Sequence, residues 1–359
     1  MNPDNAPGTD LTGEAALAGF VGAWLEAMGA EVTLTEVRPA RPNLIARFAP
    51  LDGRPRILLG PHLDTVGVGG MTVAPFGGDL RDDRVWGRGA ADTKGPMAAM
   101  LWALRTHREL LPKLPVAVDF IAFMGEESEQ WGSRDFVRRH GTDYAFAVVG
   151  EPTSMQVVRV TKGSLWATLR ATGKAAHSSL PECGDNAILK LTRALDTLDH
   201  HLGHALAGFT HPVLGRSTLN VGVIRGGARP NIVPDWAEAE LDIRITPALV
   251  AAGGALRLLQ ELIDDHALPV TIVKSHENPP MDTAATHPMV EALLAVDDRT
   301  GLAGAPWFSD AAQLANGGVL SVCLGPGSIN QAHTVDEFIE VAELTRGAAF
   351  FEAFIRRLA

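Results

Sequence analysis

Three short, continuous apolar runs stand out in the first half of the chain and predict buried strands. They are Ile57–Gly60, Val116–Met124 and Ala145–Val149. Such runs are typical of parallel strands that are covered on both faces. Apolar residues at helical spacing predict helices at Ala15–Met28 and Pro96–His107. This alternation predicts an α/β fold with a doubly wound, mostly parallel sheet, whose ligand site lies at the carboxyl ends of the strands.

The pattern changes near Lys162, where alternating apolar and polar residues predict half-exposed antiparallel strands. These strands are Leu165–Thr172, Ser217–Ile224 and Trp236–Ile245. Two helical patterns lie between and after them, at Asn186–Leu202 and Pro247–His266. We therefore expect an α+β domain at residues 163–275, inserted into an α/β domain made of residues 1–162 and 276–359.

The remaining segments complete the α/β domain. Two strands follow the first helix, and Val66–Trp86 is Gly-rich and is predicted to be largely loop. A helix, a strand and a final helix follow the inserted domain. The predicted bounds of these five elements are Glu31–Val37, Asn43–Phe48, Pro288–Val296, Leu320–Leu324 and Val341–Leu358.

Composition narrows the class of protein. The 359 residues suffice for two domains, and the 46% of hydrophobic residues can fill two cores. A formal net charge of −11 argues against a nucleic acid or an anionic membrane as partner. The two cysteines lie in different segments, which predicts no disulfide framework and a reducing compartment. Met1–Asn5 lacks the pattern of a signal peptide, and no apolar run is long enough to span a bilayer, so we expect a cytoplasmic protein.

His62 and Asp64 follow the first buried strand and are two residues apart. Residues i and i+2 of a strand point to the same side, so the two side chains can meet just past the strand's end. An imidazole beside a carboxylate is typical of a metal ligand whose tautomer is fixed by the neighbouring acid. For this motif taken alone, a histidine that is merely hydrogen-bonded at a strand end is the alternative.

Two further strands end in carboxylates, at Glu126-Glu127 and at Glu151. Gly87–Gly95 is also Gly-rich and precedes a helix, which invites comparison with phosphate-binding loops. It lacks the Gly-Lys-Ser/Thr ending of a Walker loop, and Asp92 replaces the third glycine of a dinucleotide fingerprint. We therefore expect no nucleotide there.

Imidazole and carboxylate groups in five separate segments are candidate ligands of Zn²⁺, with Co²⁺ or Mn²⁺ as substitutes. They belong to His62, Asp92, Glu127, Glu151 and His333. Five ligands exceed the number that one tetrahedral catalytic zinc uses, and they fit two metal ions that share a carboxylate. Two dications, three carboxylates and one hydroxide sum to zero charge.

The adjacent pair Glu126-Glu127 is the sharpest chemical feature. One carboxylate can bind metal while its neighbour acts as general base on the water between the metals. A solvated acidic pair is the alternative, which the preceding buried strand and glycine disfavour.

Five motifs in a fixed order carry a family resemblance. They are His62-Leu63-Asp64-Thr65, Gly87–Gly95, Gly125-Glu126-Glu127, Gly150-Glu151-Pro152-Thr153 and Gln331-Ala332-His333. The chain resembles the dinuclear-zinc amidohydrolase and peptidase family of acetylornithine deacetylase, succinyl-diaminopimelate desuccinylase, glutamate carboxypeptidase and aminoacylase. The resemblance covers nearly the whole chain.

The resemblance implies two Zn²⁺ ions per subunit. His62, Asp92 and Glu151 would hold one ion. Asp92, Glu127 and His333 would hold the other, so that Asp92 bridges the two.

It also implies the roles of three neighbouring groups. Asp64 would orient His62, and Glu126 would be the general base. The peptide bond between Asp92 and Thr93 would be cis.

The inserted domain corresponds to the family's lid and dimerisation domain. By the resemblance, His177 helps to bind the oxyanion in the active site of a neighbouring subunit; a structural role at a Gly-rich turn is the alternative. Asn220 and Arg244 match positions that contact substrate, and an arginine suits a carboxylate. An ordinary exposed strand residue is the alternative for Arg244. Ser309 and Ser328 are further candidates for substrate binding.

We expect a metal-dependent hydrolase that cleaves the amide bond of a small, carboxylate-bearing N-acyl amino acid. The segment Gly325–His333 is most similar to that of acetylornithine deacetylases. A dipeptidase or carboxypeptidase, or a hydrolase similar to succinyl-diaminopimelate desuccinylase, is the alternative. A non-catalytic binding protein on the same fold is a remote one. The expected partners are a small-molecule substrate and a second copy joined through the inserted domain, with no nucleic acid and no membrane.

A histidine cluster at residues 200–204 falls outside these motifs. His200 and His204 are one helical turn apart and could clamp a metal ion. Gly203 is expected to break the helix at this point, which argues against a metal site.

Family members usually begin with a helix ahead of a Ser/Pro-containing segment. This chain opens at Asn2-Pro3, at what resembles the end of that segment. We therefore expect the first helix to be missing or trimmed.

Overall fold

The computed structural model describes residues 13–359, so the expectations about Met1–Asn5 and Asn2-Pro3 lie outside the described residues. The chain divides into two compact units. The first consists of the residues up to Arg159 together with Thr283–Ala303 and Ser309–Ala359. The second consists of Val160–Asp282 and Gly304–Phe308. Within residues 13–359, no helix combines the length and the apolar character needed to cross a membrane.

The described residues form the following strands in chain order: β1 (Glu31–Arg38), β2 (Arg41–Arg47), β3 (Arg56–Pro61), β4 (Asp79–Arg81), β5 (Arg84–Trp86), β6 (Ala117–Ala122), β7 (Phe146–Gly150), β8 (Val157–Thr161), β9 (Gly163–Thr172), β10 (Thr210–His211), β11 (Gly215–Arg216), β12 (Thr218–Gly226), β13 (Trp236–Ile245), β14 (Thr271–Asn278), β15 (Met281–Asp282), β16 (Leu302–Ala305), β17 (Leu320–Cys323) and β18 (Phe338–Glu340). The α-helices are α1 (Ala15–Glu26), α2 (Gly95–Thr106), α3 (Trp131–His140), α4 (Ala187–Ala207), α5 (Pro247–Ala251), α6 (Ala255–Asp265), α7 (Pro288–Leu294), α8 (Asp310–Asn316) and α9 (Val341–Arg357).

A mixed sheet with the order β1-β2-β6-β3-β7-β17-β8 organises the first unit. Its centre is parallel, because β3 pairs in parallel with both β6 and β7, and β7 pairs in parallel with β17. At one edge, β1, β2 and β6 pair in antiparallel fashion. The carboxyl ends of β3, β6 and β7 therefore meet at one edge of the sheet, where a ligand site is expected in an α/β fold.

Helices cover both faces of this sheet, which explains why its central strands are apolar throughout. Leu59, Phe120 and Val148 face the core that α1, α2, α7 and α9 share. The neighbouring positions point the other way, and Phe123 meets Phe136 of α3 with 5.6 Å between ring centroids. Side chains alternate across a strand, so two buried faces require apolar residues at every position. The predicted α/β class and doubly wound sheet are confirmed.

The second unit is an antiparallel sheet with the order β12-β13-β9-β14, packed against helices. The strand β9 alternates buried and exposed positions along most of its length, as the sequence pattern predicts. Its inward residues share a core with α4 and α6. The strands β12 and β14 form the two edges of the sheet, and β12 is paired on one side, with β13.

Several predicted bounds differ from the structure for local reasons. The stretch Val66–Trp86, predicted to be largely loop, contains the short strands β4 and β5. The helix predicted over Pro247–His266 is divided into α5 and α6, because Gly253 and Gly254 both adopt positive φ angles. Glycine reaches this region without a steric penalty, and a helix cannot continue through it. The predicted break of α4 at Gly203 is wrong, since the helix continues to Ala207.

A buried ion pair joins β3 to β6 in the first unit. Arg56 donates to both carboxylate oxygens of Asp119, at 2.9 and 2.8 Å, and the Tyr144 hydroxyl donates to Asp119 at 3.0 Å. Burial raises the pKa of Asp119 above its ordinary value in spite of this arginine. The pair therefore stabilises the sheet only as long as both partners are present.

Replacing Arg56 alone should strongly destabilise the first unit. Arg56→Met leaves the buried carboxylate of Asp119 without its main partner, which costs about 3–5 kcal/mol. We expect the lower end, because Arg47 lies opposite Asp119 on β2. Urea unfolding followed by circular dichroism measures the change in the free energy of unfolding.

Two further variants show whether the loss of stability comes from the unpaired buried carboxylate. Arg108→Met removes an arginine whose ion pair with Glu109 is solvent-exposed, and it should change stability little. Arg56→Met combined with Asp119→Leu should recover much of the lost stability. An Arg56→Met protein as stable as the original would contradict this account of the buried pair.

Candidate metal centre

His62 and Asp64 lie immediately after β3, at the edge where the parallel strands end. Both are buried, and His62 forms a bridge with Phe123 just beyond β6. The Asp64 carboxylate accepts the backbone N–H groups of Glu126 and Glu127 at 3.0 and 3.1 Å. One carboxylate therefore fixes the end of β3 to the acidic pair that follows β6.

Nδ1 of His62 is 3.1 Å from the backbone oxygen of Asp64 and 3.4 Å from its carboxylate. Burial acts to lower the pKa of His62, but the bonds with Asp64 and Asp92 raise it well above 6.5. A ring nitrogen held in this way leaves Nε2 as the atom that can face a ligand.

The two adjacent glutamates point to different partners. Glu127 Oε2 lies 3.0 Å from Nε2 of His333, and Oε1 accepts the N–H of Val66 at 3.3 Å. Glu126 Oε1 instead accepts the side-chain amide of Gln130 at 3.3 Å. Glu127 therefore contacts a histidine, whereas the carboxylate of Glu126 contacts the amide of Gln130.

Asp92 lies in a kinked turn, Ala90–Lys94, between β5 and α2, and its backbone angles and those of Thr93 are not helical. The peptide bond between Asp92 and Thr93 is cis, as the resemblance implied. The Thr93 hydroxyl donates to the carbonyl oxygen of Gly150 at the end of β7. The turn that carries Asp92 is thereby connected to the strand that precedes Glu151.

Asp92 stands between two histidines. Its Oδ1 is 3.0 Å from Nε2 of His62, and its Oδ2 is 3.4 Å from Nε2 of His333. Burial acts to raise the pKa of Asp92, but bonds with His333 and His62 hold it below its ordinary range. Bonds with Asp92 and then Glu127 raise the pKa of His333 to about 10.

Potential ligand atoms of His62, Asp92 and Glu127 all lie within 4.8 Å of one another. Nitrogen and oxygen donors at this spacing suit Zn²⁺ and related divalent ions. Glu151 supports the fit, because it is buried and its Oε1 has no hydrogen-bond partner within residues 13–359. Burial, and then the charge of Asp92, raise the pKa of Glu151 well above 4.5. A desolvated carboxylate oxygen without a donor is costly unless a cation compensates it, so the residues present fit a metal site.

Glu337 supports this centre and was missed by the sequence analysis. This buried carboxylate accepts the backbone N–H groups of Gly89, Ala91 and Asp92 at 2.9–3.0 Å. It also accepts from Nη1 of Arg88 at 2.7 Å. The loop that carries Asp92 is therefore held by a residue far away in sequence. Glu337 directly precedes β18, a strand that the sequence pattern did not predict, so no sequence signal singled it out.

Gln130 and Asp310 were also missed. Gln130 is fully buried with φ of 54°, and it accepts from the side chain of Gln313 at 2.9 Å while donating to Glu126. Asp310 begins α8, accepts from the Ser133 hydroxyl, and has its pKa raised to about 7 by burial. Gln130 precedes α3 and Asp310 begins α8, and the sequence pattern predicted neither helix.

Ser309 and Ser328 cap short helical turns in the first unit. The Ser309 hydroxyl caps α8 through the N–H of Ala311 at 3.3 Å and lies 3.1 Å from Sγ of Cys323. The Ser328 hydroxyl accepts the N–H of Asn330 at 3.3 Å. The structure gives both hydroxyls a local role, and their role in substrate binding stays a prediction.

His177 lies on an exposed turn of the second unit, where it forms a bridge with Ile232. Its Nδ1 accepts the backbone N–H of Ser179 at 3.2 Å and lies 2.7 Å from the Ser179 hydroxyl. Because Nδ1 accepts, the proton of the neutral ring resides on Nε2, which becomes a free hydrogen-bond donor.

Asn220 and Arg244 share one face of the second unit's sheet. Asn220 on β12 is the cross-strand partner of Asp242 on β13, and Arg244 is two residues further along β13. Nη2 of Arg244 donates to Asp242 at 2.8 Å, and its guanidinium lies 5.7 Å from the ring centre of Phe308. The structure thus groups the two predicted substrate-binding residues of this unit on one face.

Comparison with known proteins places the chain among metallohydrolases. A model described as peptidase family M20/M25/M40 matches residues 58–357. An acetylornithine deacetylase of Proteus mirabilis is 32% identical over 354 residues, which cover 93% of this chain and 87% of that protein. An acetylornithine deacetylase of Vibrio cholerae is 30% identical over 332 residues, with 88% and 84% covered. The M20 family metallo-carboxypeptidase Sso-CP2 from Sulfolobus solfataricus shares the fold, with a TM-score of 0.81, 18% identity, and 96% and 94% of the two chains covered.

The position of Asp92 between two histidines generates a prediction about metal content. Asp92→Asn keeps the shape of the side chain but removes its charge, so it should lose most of the binding of both ions that the resemblance implies. His333→Ala should lose mainly one ion, because His333 contacts one side of Asp92 only. Emission spectroscopy after dialysis against Zn²⁺ measures both contents, with His140→Gln on α3 as a control. Full zinc content in Asp92→Asn would show that this carboxylate is not shared.

Proposed function

Because the chain belongs to peptidase family M20/M25/M40, we propose that it is a zinc-dependent amidohydrolase that deacylates small N-acyl amino acids. An N-acetylated amino acid is the preferred substrate. Two relatives that are named acetylornithine deacetylases and are at least 30% identical over most of the chain support this choice. Structures named as peptidases, such as Sso-CP2 at 18% identity, support the fold alone.

The observation that carries the proposal is the separation of Glu126 from Glu127 at the end of β6. Asp64 holds both backbone N–H groups, so the two side chains diverge from a fixed origin. Glu127 meets His333, whereas Glu126 is left with the amide of Gln130. An acid beside a metal cluster that is not itself engaged with a histidine is suited to proton transfer.

We assign the metal ligands as follows. His62, Asp92 and Glu151 hold one Zn²⁺, and Asp92, Glu127 and His333 hold the other. The chemistry supplied by bound Zn²⁺ is Lewis-acid polarisation of the scissile carbonyl and a lowered pKa of water.

The protein's own groups then carry the proton. Glu126 takes a proton from the attacking water at a carboxylate oxygen, as a new C–O bond forms at the carbonyl carbon. Glu126 returns that proton to the nitrogen of the leaving amine, and the C–N bond breaks. The products are a carboxylic acid and a free amine, and the acid's proton passes to the amine or to solvent to leave a carboxylate. Arg244 and Asn220 bind the substrate, with the guanidinium suited to its carboxylate.

We further propose a homodimer joined through the second unit. Its edge strand β12 exposes Val221 and Ile224, with 40% and 53% of their surfaces accessible. An edge strand with exposed apolar side chains is a surface that a second copy can cover by strand pairing. The free thiols of Cys183 and Cys323 support a reducing, cytoplasmic location.

A substrate panel tests the activity. The Zn²⁺-loaded protein should release free amine from N-acetyl amino acids faster than from N-succinyl amino acids or dipeptides. Glu126→Gln should keep its zinc and lose about 10²–10⁴-fold in turnover, because the proton carrier is gone. The same substitution at exposed Glu129, three residues away, is the matched control and should leave turnover unchanged. Preference for dipeptides would contradict the deacylase assignment, and a Glu126→Gln protein with full zinc and full turnover would contradict the base.

The free Nε2 donor of His177 generates a second test. His177→Ala should keep its zinc content and lose about 10²–10³-fold in turnover, as expected when one oxyanion donor is removed. If His177 serves a second copy, mixing His177→Ala with Glu126→Gln under subunit exchange should restore activity, because one site of the mixed dimer is complete. Mixed dimers that form and remain inactive would refute the role across subunits. Full activity in a monomer would do the same.

A further inference from the structure

The end of α4 in the second unit carries histidines that the proposed reaction does not use. The helix runs unbroken from Ala187 to Ala207, so Gly203 does not end it. His200 and His204 therefore stand one helical turn apart on a continuous helix. Imidazoles at this spacing lie on the same face and can approach a single ion.

Two more imidazoles adjoin this pair. The ring of His201 lies 4.7 Å from that of His200 and 4.2 Å from that of His266, measured between ring centroids. His266 directly follows α6, so the cluster joins two separate helices. Buried Leu202 and Ile263 belong to the core that α4 and α6 share, and this packing fixes the spacing of the two helix ends.

The surroundings favour a cation. All four histidines are exposed, so their rings can rotate without displacing packed neighbours. Acidic residues adjoin the cluster in sequence, at Asp199 and Asp265.

We propose that His200, His201, His204 and His266 form a surface site for a divalent transition-metal ion of the class Zn²⁺, Ni²⁺ or Cu²⁺. Neutral imidazole is a preferred ligand of these ions. Within the described residues, the group whose ligand atoms already lie within 4.8 Å of one another is the group His62, Asp92 and Glu127 of the first unit. The surface site forms when the exposed rings turn towards a shared ion. The ion then ties the last turns of α4 to the residue that follows α6.

Equilibrium dialysis of the full-length protein against Zn²⁺ near neutral pH tests this site, with bound zinc measured by emission spectroscopy. The original protein should bind one more ion per chain than His201→Ala/His266→Ala, which leaves the central residues intact. Single replacement of His200 or His204 by alanine should lower the affinity for the additional ion by at least about 10-fold, as the loss of a metal-site interaction does. The readout is metal content, so the result does not depend on the proposed deacylase activity.

Two control variants and one further measurement complete the test. Gly203→Ala keeps all four imidazoles, and its Cβ would meet no atom within 4 Å, so this variant should retain the additional ion. His140→Gln removes a histidine outside the cluster and should also retain it. Sedimentation of the same samples with and without Zn²⁺ should give the same oligomeric state. Equal zinc content in the original protein and the double variant would overturn the proposal, as would an additional ion whose binding changes the number of chains in the particle.

Discussion

Compensation of buried negative charge is the constraint on which the first unit depends. Five carboxyl groups are buried at or near the ends of its parallel strands and the start of α8: Asp64, Asp92, Glu126, Glu151 and Asp310. Isolated charges of this kind are too costly to bury, so each needs a donor, a proton or a cation. The fold supplies these unevenly. Asp64 receives two backbone N–H groups, whereas Glu151 keeps an oxygen without any donor in the described part of the chain.

This uneven supply separates supporting groups from reactive ones. Glu337 is fully satisfied by three backbone N–H groups and Arg88, so it acts as a fixed support for the loop of Asp92. Lys94 donates to the backbone oxygens of Leu63 and Asp64 at 2.7 and 3.0 Å and holds the end of β3 against the same loop. Glu151, whose Oε1 has no donor within the described residues, is one of the groups that a divalent ion would bind. Metal binding and the stability of this unit should therefore be coupled, because a ligand that binds the folded state stabilises it.

The second unit follows a different physical rule. Its sheet carries its polar residues on the surface, and its core is formed by α4, α6 and the inward face of the strands. Its functional candidates are consequently exposed or half-buried and held by local bonds. The turn of His177 and the pair Asp242–Arg244 are examples. Such sites take their orientation from neighbours two residues away, whereas the metal centre takes its orientation from contacts between distant segments.

The sequence by itself determined the α/β class, the central strands and the α+β character of the second unit. It could do so because apolar periodicity reports local burial, and a helix or strand is specified by its own residues. It also singled out His62 and Glu127, because residues that follow buried parallel strands must meet at one edge of the sheet, and it singled out Asp92 from the Gly-rich segment Gly87–Gly95. The geometry brings these three together, and the motif order pointed to the family to which the chain belongs.

Only the tertiary structure decided which distant groups support that centre. Glu337 is 245 residues from Asp92, and Gln313 is 183 residues from Gln130, so no local pattern could connect them. Local propensity also misjudged Gly203, because packing of α4 against the sheet and α6 outweighs the cost of about 1 kcal/mol that a glycine imposes on a helix. The same packing brings His266 to His201, from an element about 60 residues further along the chain. Periodicity specifies elements, but long-range contacts between them arise only when the chain is folded.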